Sequence, residues 1–289
     1  MTTSAAAEEA AATWLGLAFG RPPSSYTSVE TGQTVVSVYL QRKPDWSAAA
    51  QKELADGLRG VVRRTSGFGQ PRISLARIGP QDWAIAWRQH FKPLAVGSKL
   101  LLKPSWSRQR PRRGQVIVVL DPGLSFGTGH HPTTAFCLRQ LAARRRPGQA
   151  QSCLDVGTGS GILAIAAAKL GYRPVDALDF DPEAVRVARA NAGRNRVSGR
   201  IHFWQQDLTK LPYRSRRKYS LICANLLADL LLAERQRFLA RLGADGVLVA
   251  AGVLTSEFSR VQDTFESSGL RLVASRAQNE WHSGAFSWR

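Results

Sequence analysis

The apolar positions of this chain follow two rhythms. In the first hundred residues they are spaced as a few separate elements. Ala5 to Leu17 reads as a short helix, and Thr34-Val-Val-Ser-Val-Tyr-Leu40 is rich in β-formers and reads as a strand. Trp46 to Arg64 has helical spacing, with Ala49, Leu54, Leu58, Val61 and Val62 on one side. Arg72 to Ile78 reads as a strand. Asp82 to His90 reads as a helix capped by Asp82, with Trp83 and Trp87 four apart on one face. Lys99 to Lys103 is a further strand. The pattern predicts a small α+β unit over residues 1–103. Residues 104–115 hold two prolines, a glycine and a run of arginines, the composition of a linker.

From Val116 onward the rhythm becomes strand, loop, helix, repeated. The candidate strands are Ser152 to Val156, Val175 to Leu178, Arg200 to Trp204, Tyr219 to Ala224, Gly246 to Ala251, Leu270 to Ala274 and Trp281 to Trp288. Helices are expected between them. Gly161 to Leu170 is stopped by Gly171, and Pro182 to Asn191 starts on proline. This alternation predicts an α/β domain over 116–289, a Rossmann-like parallel sheet with helices on both faces. Only Arg276 to Glu280 separates the last two strands, so one of them must run antiparallel.

Composition narrows the setting. The longest apolar run, Ile162 to Ala168, is far short of the roughly 20 residues that cross a bilayer. The N-terminus lacks the basic flank and apolar stretch of a secretory signal, so a cytoplasmic, monomeric protein with no membrane partner is expected. Cys137, Cys153 and Cys223 form no C-x-x-C pair and sit among apolar residues, as reduced core thiols do. Net charge is +19, with basic clusters at Arg108 to Arg113, Arg144 to Arg146 and Arg214 to Lys218. Such clusters suit contact with RNA or a ribonucleoprotein, and equally a solvated arginine-rich surface; aromatic residues are not interleaved with them.

Candidate chemistry centres on Leu154-Asp155-Val156-Gly157-Thr158-Gly159-Ser160-Gly161, which ends a strand and opens a helix. Glycines let the backbone pass close to a ligand, and the helix start offers unpaired N–H groups. Asp155 stands two residues before the first glycine. A pyrophosphate-binding loop seldom carries an acid there, whereas a sulfonium ligand with a cationic amino-acid end suits one. Asp179 ends the next strand, where a carboxylate can accept both ribose hydroxyls. Asp181 follows it as a cap for the Pro182 helix. Asp121 to Thr134 gathers three glycines, two prolines, two histidines and three threonines into an irregular loop leading to a helix from Thr133 to Ala143. The adjacent His130 and His131 do not make a metal set. Asn225 follows an apolar strand at its carboxyl end, the edge where open α/β sheets bind ligands. Its amide oxygen can accept a proton from a substrate nitrogen, or it can cap the helix that follows.

Taken together these residues resemble the ribosomal protein L-eleven methyltransferase family, the PrmA type. The resemblance runs from about Gln81 to the C-terminus. It is carried by Asp82-Trp83, Ala86-Trp87, Phe91-Lys92-Pro93, Pro104-Ser-Trp106, Asp121-Pro-Gly with Phe126-Gly-Thr-Gly-x-His131-Pro-Thr-Thr134, Asp155 to Ala166, Asp179-Phe-Asp-Pro182 and Ala224-Asn-Leu-Leu227. The Phe-Gly-Thr-Gly segment is the specific one; the Asp155 loop is shared by many methyltransferases. The resemblance implies a class I fold with S-adenosyl-L-methionine as methyl donor. It further implies that Thr134, Gly157, Gly159, Asp179 and Asn225 contact that cofactor, and that Asn225 also acts in catalysis. The family methylates lysine side chains and the N-terminal amine of its ribosomal protein; another protein lysine, or rRNA, is the alternative acceptor. It also implies a ferredoxin-like N-terminal domain that recognises the substrate. The strand expected before the Ala5 helix is not legible, which predicts a truncated version of that domain.

Overall fold

The computed structural model describes residues 2–4, 8–20, 24–27, 33–40, 42–62, 73–75, 93–121 and 131–289. The chain divides into two compact units, Met1–Trp83 and Ala84–Arg289.

The first unit contains β1 (Thr2–Ser4), α1 (Glu8–Phe19), β2 (Ser24–Thr27), β3 (Gln33–Ser37) and α2 (Ala48–Val62). Its sheet has the order β1-β3-β2, and both pairs are antiparallel. These are the first five elements of a β-α-β-β-α-β arrangement. The expected absence of a first strand is therefore corrected: Thr2, Thr3 and Ser4 pair with Val35, Thr34 and Gln33. Three small polar residues carry no alternating pattern, and the strand is defined by its partner alone. Ala11 and Leu15 of α1, Val36 of β3 and Leu58 of α2 form the small core. Ser47 caps α2 through its hydroxyl, which accepts from Ala50 N at 3.3 Å. Gly57 sits inside α2 because the Trp14 ring occupies the space a Cβ would take. Of the expected Arg72 to Ile78 strand, residues 73–75 have no regular structure and the rest lies outside the described residues, as does the Asp82 to His90 helix.

The second unit opens with β4 (Leu94–Val96), β5 (Leu100–Lys103) and β6 (Val116–Val119). β4 is antiparallel to β5, and β5 is parallel to β6. The expected boundary after Lys103 is thus displaced upstream, and 104–115 is a connection between two paired strands of one sheet. The composition that suggested a linker belongs to a surface crossover. This small sheet is fastened to the elements behind it. The Lys99 ammonium donates to Ala142 O and Arg145 O at 2.8 and 3.1 Å. Asn195, 2% exposed, accepts from Val119 N at 2.8 Å and donates to Val119 O at 2.6 Å. One side chain so satisfies both backbone groups at the edge of β6.

The remainder is the predicted α/β sheet. Its elements are α3 (Pro132–Arg144), β7 (Cys153–Val156), α4 (Ile162–Leu170), β8 (Val175–Asp179), α5 (Pro182–Arg194), β9 (Ile201–Gln205), β10 (Tyr219–Asn225), α6 (Ala228–Ala233), α7 (Arg235–Leu239), β11 (Leu242–Leu254), α8 (Phe258–Ser267), β12 (Leu270–Gln278) and β13 (Trp281–Trp288). The order is β12-β13-β11-β10-β7-β8-β9. The one reversed strand is β13, antiparallel to both β11 and β12, as the short 276–280 link requires. Successive residues feed opposite layers. Cys153, Leu221 and Cys223 enter the core beneath α3, α4 and α5, whereas Leu154, Ile222 and Ala224 enter the core beneath α6, α7 and α8.

Replacing Asn195 with alanine should leave Val119 N and O unpaired and destabilise the chain by about 1–3 kcal/mol. Urea unfolding followed by tryptophan fluorescence measures this, and no loss of stability would mean that the small sheet is not anchored there.

Candidate functional site

The carboxyl ends of β7, β8 and β10 meet the first turn of α3, and the expected site residues gather there. The chain leaves β7 through Gly157, Gly159 and Gly161, all left-handed with φ of 72°, 52° and 80°. Two of them are also sterically fixed. A Cβ on Gly161 would lie 2.9 Å from that of Ala188, and one on Gly157 would lie 2.7 Å from Leu226 Cδ2. Gly157 N and Thr158 N both donate to Leu178 O, which holds the loop against β8.

Asp155 shapes this loop from inside. It is wholly buried, and its Oδ2 accepts from the Thr158 hydroxyl at 2.7 Å and from Ala164 N at 3.1 Å. Oδ1 has no hydrogen-bond partner among the described residues. Burial pushes its carboxyl up to about 6, with the nearby Asp179 adding to the rise and the two hydrogen bonds opposing it. Asp179 is 7% exposed; its Oδ2 accepts from Gly159 N at 2.9 Å and its Oδ1 from Asp181 N at 3.1 Å. Each oxygen keeps a second lone pair for a further donor. Asp181 caps α5 as expected, accepting from Glu183 N at 2.8 Å.

Asn225 closes the other side. Its Nδ2 donates to the Thr134 hydroxyl at 3.4 Å, joining the end of β10 to the start of α3. The helix-cap reading of Asn225 is not what is observed: the residue at the cap position of α6 is Leu227, and it makes no side-chain cap bond. Thr134 is 1% exposed, whereas Phe180 and Leu227 stand out from the same edge at 74% and 73%.

One residue of this region, Gly252, escaped the sequence reading. Gly252 has φ 82°, and a Cβ there would lie 2.7 Å from Leu226 O and 3.0 Å from Asn225 Oδ1. Only glycine lets β11 pass the Asn225–Leu226 turn so closely. The signal was a glycine within an apolar strand, the usual mark of a bulge, and the β11–β13 register does shift between Ala250 and Val253. His131, at the cap position of α3, has Nδ1 2.7 Å from the Thr133 hydroxyl and its ring against Trp281 in an edge-on contact. Burial holds its imidazole below the usual value, opposed in part by Glu280. Its companion His130 lies outside the described residues. Cys137, Cys153 and Cys223 are free and buried.

The sequence model of ribosomal protein L11 methyltransferase (PrmA) matches residues 18–287. The chain belongs to this methyltransferase family. The match begins well upstream of Gln81, where the motifs become legible. A ribosomal protein L11 methyltransferase from Trichlorobacter lovleyi is 43% identical over 215 residues, covering 73% of this chain and 68% of that protein. One from Pelotomaculum thermopropionicum is 36% identical over 231 residues, covering 80% and 73%. Among solved structures, the ribosomal protein L11 methylase from Lactobacillus delbrueckii subsp. bulgaricus is 29% identical, covers 69% of this chain and 100% of that one, and superposes with a TM-score of 0.61. The larger unit is thus a class I methyltransferase fold, and S-adenosylmethionine is its methyl donor.

The raised carboxyl of Asp155 has a consequence for stability. An unfolded aspartate ionises near 3.9. Between about pH 4 and pH 6 the folded methyltransferase therefore keeps a proton that the unfolded chain has lost, and this contribution falls as pH rises through the window. Asp155→Asn removes it. The melting temperature of the variant relative to the parent should climb from pH 4 to pH 6 and then level off. A constant difference would show that Asp155 titrates normally.

Proposed function

We propose that this chain transfers the methyl group of S-adenosylmethionine to amine nitrogens of ribosomal protein L11, lysine side chains or the N-terminal amine, in the cytoplasm. The observation that carries the reading is the pairing of Asn225 with Thr134 at the sheet edge that also bears the glycine loop and Asp179. The residues present fit the donor. Gly157 and Gly159 keep the loop free of side chains, and Asp179 retains lone pairs for hydroxyl donors. The unpartnered Oδ1 of Asp155 is an acceptor of the kind that a cationic aminoacyl end favours. Thr134, Gly157, Gly159, Asp179 and Asn225 would hold it.

The bound donor supplies an electrophilic methyl on sulfur; the protein supplies alignment and a dry site. The acceptor must arrive as a neutral amine. For a free lysine at pH 7 this costs about 4.6 kcal/mol, which burial at the site lowers. Asn225 Nδ2 is engaged by Thr134, which leaves Oδ1 to accept an N–H of the amine and aim its lone pair. An uncharged acceptor holds the amine without fixing it as ammonium.

The Met1–Trp83 unit would recognise the protein substrate. A chain beginning at Ala84 should still bind S-adenosylmethionine in calorimetry yet lose methyl transfer to L11. Full transfer without those residues would refute the assignment, and transfer to rRNA in place of L11 would favour the alternative acceptor.

Asn225→Ala should lower turnover on L11 by about 10²-fold or more, the usual loss of a positioning hydrogen bond. Asn225→Asp should raise the amine's pKa and move the pH–rate profile to higher pH. Near-full turnover in Asn225→Ala would remove Asn225 from the catalytic site.

A further inference from the structure

The charges of the larger unit are sorted between the two edges of its sheet. Four connections lead into the adjacent parallel strands β10, β7, β8 and β9: residues 211–218, 145–152, 171–174 and 195–200. They carry Arg145, Arg146, Arg173, Arg196, Arg200, Arg214, Arg216, Arg217 and Lys218, and not one Asp or Glu. Arg145 and Arg217 have internal partners, Gly171 O and the buried Asp176. Arg146, Arg173, Arg196, Arg200, Arg214 and Arg216 are exposed. At the opposite edge, where Asn225 lies, the strand ends and the residues after them carry Asp179, Asp181, Asp207, Asp229, Glu257 and Glu280 against Lys210, Arg260 and Arg276, so acids outnumber bases there. An unselective arginine-rich surface would spread over both edges.

The connections are also physically joined. Ser152 bonds to Ser220 and to Lys218 O, Arg173 N bonds to Gln151 O, and Lys218 Nζ reaches Ala240 O at 2.7 Å. Beyond Ala240 the basic row runs into an open groove of about 890 Å³ between α7, α8 and Trp288. Arg235 and Gln236 line the groove and are donors of the kind that phosphate and sugar accept, whereas the Thr264 and Ser267 hydroxyls beside them donate to carbonyls of α8. Tyr213 stands at its mouth, 62% exposed, with one face on the Arg237 guanidinium at 3.9 Å. A supported aromatic face beside a row of arginines is the combination that binds single-stranded nucleic acid.

We propose that this edge is a binding surface for single-stranded RNA, with the backbone along the four basic connections and an unstacked base on Tyr213. Bound there, RNA leaves the Asn225 edge open, so the enzyme can hold RNA and act on protein at once. The inference rests on charge placement and not on the methyl acceptor, and its test reads binding, not turnover.

The probe is a fluorescein-labelled 20-nucleotide single-stranded RNA, titrated with the full chain and read by anisotropy. Neutralising four or five phosphates predicts a log–log salt slope of about −3, a loss of about 60-fold between 50 and 200 mM salt. Arg146→Glu/Arg214→Glu/Arg216→Glu should weaken binding at least about tenfold, with an unchanged circular dichroism spectrum. Arg260→Glu/Arg276→Glu, which reverses the same sign of charge at the opposite edge, should stay within about twofold. Tyr213→Ala should weaken the single strand several-fold and leave a DNA duplex, which offers no unstacked base, unaffected. Equal losses from both sets of charge reversals would mean attraction by net charge alone and would overturn the proposal. So would absent or salt-independent RNA binding, or binding to phosphatidylserine vesicles in place of RNA.

Discussion

The whole site hangs on one buried carboxylate. Asp155 leaves β7 pointing inward, and its Oδ2 takes the Thr158 hydroxyl and the N–H of Ala164. Ala164 lies in the first turn of α4, where backbone donors have no helical partner. A single acceptor thus fixes where the strand stops, how tightly the chain turns and where the helix starts. The burial that makes this bond strong also opposes the charge that makes it, and the raised carboxyl records the balance. The left-handed glycines follow from the same constraint. A turn closed over so short a distance needs positive φ at Gly157, Gly159 and Gly161, and Ala188 and Leu226 press on two of them from outside.

Two further contacts turn this loop into a site. Gly159 N binds Asp179, so the second strand's acid is positioned by the first strand's loop. Asn225 binds Thr134, so β10 is positioned by α3. Gly252 then keeps β11 close behind the Asn225 turn without a side chain in the way. The groups come from distant parts of the chain, and it is the order β10-β7-β8 in the sheet that makes them neighbours.

The larger fold was legible because its signals are repeated. Central strands with both faces buried, such as β7 and β8, give apolar runs that only a covered sheet can use, and Gly171, Pro182 and the short 276–280 link punctuate the pattern where the structure does. A residue that acts locally was legible where its chemistry is singular: Asp181 caps α5 as read, and Asp179 and Asn225 lie at the carboxyl ends of their strands where the pattern put them. What was lost depends on partners. Thr2–Ser4 is a strand only because β3 lies beside it. Residues 104–115 have the composition of a tether, yet Lys103 Nζ binds Ser107 O and Gln109 O, and the flanking strands pair in parallel. No local pattern encodes a pairing across such a crossover. The cap reading of Asn225 failed for a similar reason, since its partner Thr134 is 91 residues away.

The acids near Asn225 bear on the proposed chemistry. Asp155, Asp179 and Asp181 each accept backbone N–H groups, and Asp155 is sealed from solvent. Their bonded oxygens hold the loop and the cap of α5, and the acceptor capacity left on Asp155 and Asp179 is what the proposed donor would use. The group proposed to meet the acceptor is instead the neutral amide of Asn225, and the exposed apolar side chains of Phe180 and Leu227 stand at the same edge. An ammonium drawn to the acidic edge gains from the field at a distance and finds no free carboxylate at close range to keep its proton. In the proposed reaction, a protein substrate covering Phe180 and Leu227 would expel water and favour the neutral amine. On the proposed chemistry the arrangement would separate attraction from deprotonation: the edge would supply the first, and closure by the substrate itself the second.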